Sequence, residues 1–451
     1  MSALLALAAI GLSGLALASM GVRRGPLRWA LAPLLGLGAW SAAYAAALFA
    51  FGADPAVRFV KDAMLAVGGL AAVVGQASMA RRNARGKEAT AGPPGSGRGL
   101  QAALAAAAGL SAVLFVEHSL RQPDGGWDAW MIWNLRARSL ARAGAAFRDA
   151  FSPELLLWAH QDYPILLPGV VAQGFLMVGS EPRWVPALVA FAFACLTVAV
   201  LASALETLRP RGSGFLAAIA LLTTPCFVGF AANQQSDVPI GAFLLAASAL
   251  LAAAIETRQP RLFAAAGFSA SLAAWTKNEG VLYAACLAAT LGAVPWGAGR
   301  ERRRGLLRFA LGALPVLVLL AWFKLRVSHV NDLLHAASLS SLLELPRWAV
   351  LAAVVLRRLV FFQNWSLWLV AELAVLVAVL PRVQGRPAAR VIGLALGASL
   401  GATGIVYLLQ PHELLWFVRA SFDRILIQLW PSILFATLLA LIPPVPSPRP
   451  T

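Results

Sequence analysis

Charge is scarce in this sequence. Only 13% of its 451 residues are Asp, Glu, Lys or Arg, about half the share of a soluble globular domain. With 60% hydrophobic residues, that scarcity excludes a soluble enzyme, a disordered chain and a collagen-like fibre. Lysine occurs at four positions only. Cys195, Cys226 and Cys286 all fall inside apolar runs. They form neither a disulfide framework nor a metal-ligand spacing, and they read as small core residues. What remains is a polytopic membrane protein.

The charge that is present is mostly positive, with a formal net of +17. A nucleic-acid surface would gather its basic residues on one polar face. Here they sit in short clusters between apolar runs, which is the pattern of the positive-inside rule. The first apolar run, from Leu4 to Met20, lacks a basic segment before it, and another apolar run follows within ten residues. It therefore reads as a membrane helix, not a signal peptide.

Runs long enough to cross a bilayer, about 20 residues each, lie near 3–21, 28–51, 59–79, 100–117, 184–205, 214–232, 238–256, 261–276, 280–297, 307–324, 364–380, 391–410 and 425–443. Residues 165–178 are too short to span, and 347–361 carry Arg357 and Arg358. Both suit helices lying along the membrane. The Arg clusters at 81–85, 209–211, 258–261, 300–304 and 382–390 can all be cytoplasmic only if these two do not cross. The expected fold is all-α, with about 13 transmembrane helices plus outer-face juxtamembrane helices. Residues 1–80 form additional N-terminal helices and 81–99 a basic linker. Residues 100–297 form a core with a long outer loop at 118–183. Residues 298–451 form a C-terminal helical part with outer loops at 325–363 and 411–424.

The acids were not used to build this map, yet 15 of the 20 fall on the outer side, and so do all five histidines. A transporter more often places its polar groups near the bilayer midplane. An enzyme acting on a lipid head group places them at the surface.

Four outer segments carry candidate chemistry. In Trp127-Asp128-Ala129 the aspartate stands just before a helical pattern in which Trp130, Trp133 and Ala137 share a face and Arg136, Arg138 and Arg142 are polar. Asp128 is a general base at a helix start or simply an N-cap. His160-Gln161-Asp162-Tyr163-Pro164 leads into the short apolar helix, with Pro suited to its first turn. Asn233-Gln234-Gln235-Ser236-Asp237 is a polar patch between two spans. Lys277-Asn278-Glu279 is another, where the lysine is either a phosphate-binding cation or one half of a self-paired junction. In the last outer loop His412, Arg419 and Arg424 stand near each other in sequence. The arginines either grip a phosphate or anchor the interface.

The order of these motifs resembles the GT-C superfamily of polyprenyl-phosphate-dependent glycosyltransferases. The likeness runs from about residue 100 to 290. It points to the branch holding the lipid A aminoarabinose transferase, the protein O-mannosyltransferases and bacterial lipopolysaccharide sugar transferases. The resemblance implies that Asp128 is the general base, although Ala129 stands where many relatives have a second acid. It implies that residues 160–168 form the juxtamembrane helix beside the site, that Asp237 is the second site acid and that Lys277 is the lysine of a later span. The first three spans look like an addition.

The expected activity is that of an inverting membrane glycosyltransferase, taking a sugar from a polyprenyl phosphate to a lipid, glycan or protein acceptor. The expected place is the outer face of the bacterial cytoplasmic membrane. Asp128 and Asp237 are the catalytic candidates. Lys277, Arg419 and Arg424 are candidates for the donor phosphate, and His160, Tyr163, Glu279 and His412 for substrate. No cofactor is implied, a divalent metal is left open, and nucleic acid is not an expected partner. The alternative is a transporter or flippase of polyprenyl-linked glycans.

Overall fold

Apolar runs of this length can hide their backbone from lipid only as helices, and the chain is built from them. The computed structural model describes residues 2–22, 25–83, 97–142, 144–155, 160–328, 337–362, 365–366, 385–410 and 413–444. The helices are α1 (Ser2–Gly21), α2 (Pro26–Phe51), α3 (Pro55–Asn83), α4 (Arg98–Arg121), α5 (Asn134–Arg142), α6 (Leu166–Val178), α7 (Trp184–Leu208) and α8 (Ser213–Leu222). They continue with α9 (Pro225–Ala232), α10 (Asp237–Thr257), α11 (Pro260–Thr276), α12 (Asn278–Ala293), α13 (Gly299–Arg326), α14 (Leu345–Val360), α15 (Pro387–Leu409) and α16 (Leu414–Leu441). A two-residue strand pair, Phe361–Phe362 with Trp365–Ser366, is the one ladder among the described residues.

Eight of these helices are long and apolar enough to cross a membrane, or nine if the bent pair α8–α9 counts as one span. The protein is therefore an all-α, multi-pass membrane protein. The expected span 364–380 lies mostly outside the described residues. α11 and α12 have 17 and 16 residues. At 1.5 Å per residue they reach about 24–26 Å, short of a hydrocarbon core of about 30 Å. The expected single span at 214–232 is bent by 69°, where Thr223 and Thr224 precede Pro225 and the proline has no N–H to continue the ladder.

α10 is the central element, buried along its whole length, with α7, α11 and α16 packed around it. Close approach is made possible by glycine. A Cβ on Gly267 of α11 would lie 1.9 Å from the Phe309 carbonyl oxygen of α13, and one on Gly312 of α13 would lie 1.9 Å from that of Ala264. Such small residues let backbones touch in membrane helices.

The two ends of the bundle differ in charge. At one end Arg209 is buried, forks onto Glu256 at 3.0 and 2.9 Å and donates to the Leu439 carbonyl at 2.8 Å. Arg386 donates to the same carbonyl at 3.0 Å, and Arg258 pairs with Glu301 at 2.7 Å. This end gathers arginines from four of the five expected clusters; the side chains of the cluster at 81–85 lie outside those described. The other end holds Asp128, Asp237, Lys277 and Arg424, and α10 separates the two.

Three sequence expectations need correction. The helix at 165–178 forms as Leu166–Val178, but most of it is buried beneath α2, α5 and α7 instead of lying along the surface. Its apolar residues run all round the helix, so protein covers most of it, and Val178 at its end is exposed. The loop expected to end at 424 ends earlier. Nothing between Glu413 and Trp430 breaks a helix, and the Glu413 carboxylate accepts from the Trp416 N–H at 3.0 Å, so α16 starts at Leu414. The third concerns the helix after Asp128. It opens with one π-turn, Ala129–Trp133, before α5. That turn breaks the 3.6-residue register. Trp133 is then fully buried, while Trp130 stays exposed.

Candidate active site

Asp128 stands at the junction between α4 and the π-turn. Its loop is stitched to the turn before α10. The Gly126 N–H donates to the Asn233 carbonyl at 3.0 Å, Asn134 donates to the Gln234 side chain at 2.9 Å, and His118 bonds the Asn233 amide oxygen at 2.8 Å. These bonds explain the polar patch at 233–237. It holds the first loop against α10 and so brings Asp128 close to Asp237.

The Asp128 carboxylate caps nothing: no side-chain cap bond forms at this helix start. It accepts instead from Arg424 of α16, whose Nη1 lies 2.5 Å from Oδ2. The same guanidinium donates from Nε to Asp237 Oδ2 at 2.9 Å. One arginine therefore bridges two aspartates that are far apart in sequence.

The two acids are held very differently. Asp237 is 0% exposed. Besides Arg424 it takes Gln428 Nε2 at 2.7 Å and Lys277 Nζ at 3.4 Å on Oδ1. A buried carboxylate needs such company. The Asp128 side chain is 20% exposed, and among the described residues its one ion pair is the one to Arg424. Lys277 is 3% exposed and is also paired to Glu279 Oε1 at 2.7 Å. Glu279 Oε2 is buried without a hydrogen-bond partner, as are Trp133 Nε1 and Ser236 Oγ. Buried polar atoms left unpaired are uncommon, and each calls for an explanation.

Tyr163 forms the floor beside Lys277. Its ring stacks on Trp133 at 5.5 Å and on His160 at 4.7 Å, with Lys277 Nζ 5.7 Å from its centroid. Burial, aided by the negative charge of Glu279 and Asp162, holds the phenol well above its ordinary pKa, so it stays protonated. His160 adopts φ 44°, and Arg136 fixes this bend by donating to the His160 and Tyr163 carbonyls at 2.9 and 3.1 Å.

Of the sequence candidates, Asp128, Asp237, Lys277, Glu279, Tyr163, His160 and Arg424 meet at one end of the bundle. Arg419 is exposed on α16, five residues before Arg424 and on another face. His412 lies outside the described residues. Among the described residues no three His, Cys, Asp or Glu side chains gather into a metal-binding group.

Several members of the cluster escaped the sequence reading. Asp162 is 1% exposed and accepts from Asn278 at 2.7 Å and from Lys324, whose Nζ is 3.3 Å from Oδ2. Lys324 also donates to Asn278 Oδ1 at 2.9 Å. The rarity of lysine was the available signal for it. Gln428 follows Arg424 by four residues, so both share one helix face, a relation visible only once 424 is read as helical. Arg136, expected on the polar face, is buried under its carbonyl partners. Arg358 of α14 pairs with Asp423 at 3.0 Å, one residue before Arg424.

Residues 162–323 match the family model described as dolichyl-phosphate-mannose-protein mannosyltransferase. The match indicates a membrane glycosyltransferase of the GT-C type. It bears out the resemblance read from the motifs. The matched stretch contains Asp162, Tyr163, Asp237, Lys277 and Glu279, while Asp128 and Arg424 lie on either side of it. No curated protein and no solved structure matches the chain.

Proposed function

We propose that the protein moves a sugar from a polyprenyl-phosphate donor to a hydroxyl of a lipid, glycan or protein acceptor, at the outer face of a bacterial cytoplasmic membrane. The observation that carries this reading is the Arg424 bridge between Asp128 and Asp237. It puts a base and a phosphate-binding cation within one hydrogen bond of each other.

Asp237 has Gln428 and Lys277 to hold it, so it fixes the Nε side of Arg424. Among the described residues the Nη side holds only the partly exposed Asp128. A donor phosphate competes for that side of the guanidinium, which matches a phosphate in a planar, two-pronged way. Asp128 Oδ2 is then released at the moment the donor arrives. The acceptor O–H gives its proton to Asp128, the acceptor oxygen bonds to the anomeric carbon, and the bond from that carbon to the phosphate oxygen breaks. Polyprenyl phosphate leaves with the electron pair, and Arg424 and Lys277 meet its charge. One displacement inverts the anomeric centre. Glu279, partly exposed and with Oε2 unpaired among the described residues, is placed to bond a sugar hydroxyl.

The test uses membranes holding the protein and a polyprenyl-phosphate hexose labelled in the sugar. Release of polyprenyl phosphate matched by label in an acceptor, with the opposite anomer by NMR, supports the reading. Passage of intact donor across vesicles, equally in the parent and in Asp128→Asn, with no label transferred, would overturn it in favour of a flippase.

A further inference from the structure

Away from the catalytic cluster, α2, α3, α5 and α6 enclose a cavity of about 100 Å³. Its wall is apolar along Leu48, Val57, Leu140 and Leu176, and Arg58 and Arg142 line it as well. Arg142 is already forked onto Glu181 at 2.6 and 2.5 Å. Arg58 is not matched in this way. Among the described residues no hydrogen bond or ion pair engages its guanidinium, and its Nε is buried.

The neighbouring acids make other contacts. Asp62 pairs with Lys61 at 2.7 Å and accepts from Trp40 Nε1 at 2.8 Å, and Asp54 Oδ1 accepts from the Ala56 N–H at 2.7 Å. Lys61 itself is turned away to Gln173 of α6. A guanidinium half-buried without an acceptor is costly unless something fills its fork. The geometry of that fork suits a phosphate or carboxylate.

The surroundings choose between a free anion and a lipid. Arg58 lies in the first turn of α3, just past the end of α2, a helix long and apolar enough to cross a membrane. Phe51, Phe59 and Val60 beside it are exposed, as side chains facing acyl chains are. An arginine at the end of a membrane-spanning helix can reach the phosphates of the lipid head groups. We propose that the cavity binds the phosphate of an anionic phospholipid, with Arg58 as its main ligand and the acyl chains passing over Phe59 and Val60. The lipid then joins the added helices α2 and α3 to α5, the helix that carries Arg136 beneath the active site.

The proposal is independent of the transfer reaction. The full-length protein, purified in a neutral maltoside detergent, would be given phosphatidylglycerol, diacylglycerol or inorganic phosphate. Native mass spectrometry counts what stays bound, and a melting curve reads the stabilisation. One phosphatidylglycerol per chain is expected, with no retention of diacylglycerol. Arg58→Gln should lower the bound fraction about tenfold, whereas Arg303→Gln, exposed at the other end, should not. Arg58→Lys keeps the charge without the fork and should fall between. Retention of phosphatidylglycerol by both Arg58 variants at the parental level would overturn the site. Equal stabilisation by inorganic phosphate alone would overturn its assignment to a lipid.

Discussion

Arg424 Nη1 lies 2.5 Å from Asp128 Oδ2, although 296 positions separate the two residues in the chain. The contact joins the first loop of the matched core to the last helix, outside both edges of the family match. It makes the C-terminal helix part of the site. It also means that the acid expected to take a proton has one oxygen engaged until the cation is drawn elsewhere.

Arg424→Gln should weaken donor binding by about 10- to 100-fold, the loss expected for a charge-assisted phosphate contact. Arg419→Gln should change it far less, since Arg419 points away from Asp237 on the same helix. Titration of each variant with polyprenyl phosphate by intrinsic tryptophan fluorescence measures both. Equal losses would mean that α16 offers its other face to the donor.

Lys324→Ala should cost stability before it costs chemistry. It strips the cation from Asp162, which is 1% exposed. Removing one partner of a fully buried pair typically costs about 3–5 kcal/mol, and the loss here should be smaller, because Lys324 is 25% exposed and Asn278 still donates to Asp162. A clear fall in melting temperature is expected, partly restored by adding Asp162→Asn. No restoration in the double variant would show that Lys324 acts elsewhere.

Much of this site was legible because its residues interrupt apolar runs. Asp128, Asp237 and Lys277 each stand at a junction between helices, where a polar residue has few packing reasons to be. Arg424 was legible as a cation but not as part of a helix, because its neighbours were read as loop from their polarity. The absence of any glycine or proline between Glu413 and Trp430 was the better guide. The π-turn after Asp128 left no mark in the sequence pattern, so Trp130 and Trp133 were placed on one face. The burial of Arg136 depends on the bend at His160, which is fixed by tertiary contacts. Buried Asp162 and its partner Lys324 are 162 positions apart, a distance at which periodicity carries no information.

The phenol of Tyr163 is held protonated by burial beside Glu279 and Asp162. A raised pKa keeps the neutral form to higher pH, so this group should not titrate between pH 5 and 9. Tyr163→Phe should lower the rate by less than tenfold and leave the shape of the pH–rate profile unchanged. Loss of the alkaline limb in that variant would contradict the assignment of Tyr163 as a neutral stacking residue.

Two single cysteines in a background lacking Cys195, Cys226 and Cys286 test the direction of the bundle. Trp127→Cys replaces a residue 51% exposed next to Asp128. Arg303→Cys lies at the arginine-rich end. An impermeant thiol reagent added to intact cells should reach position 127 alone, and position 303 only after the membrane is broken. The reverse pattern would place the site on the cytoplasmic side.

The most direct measurement is transfer by Asp128→Asn at saturating donor. Asn keeps the size and the hydrogen-bonding oxygen of the side chain but is a far weaker base, and it releases Arg424 from its ion pair. Donor binding should therefore be retained or tightened. The rate of sugar transfer should fall about 10²- to 10⁴-fold, as for loss of a general base. Asp124→Asn, in the turn four residues earlier, should keep most of its activity. A transfer rate near the parental value in Asp128→Asn, with normal donor binding, would contradict the account.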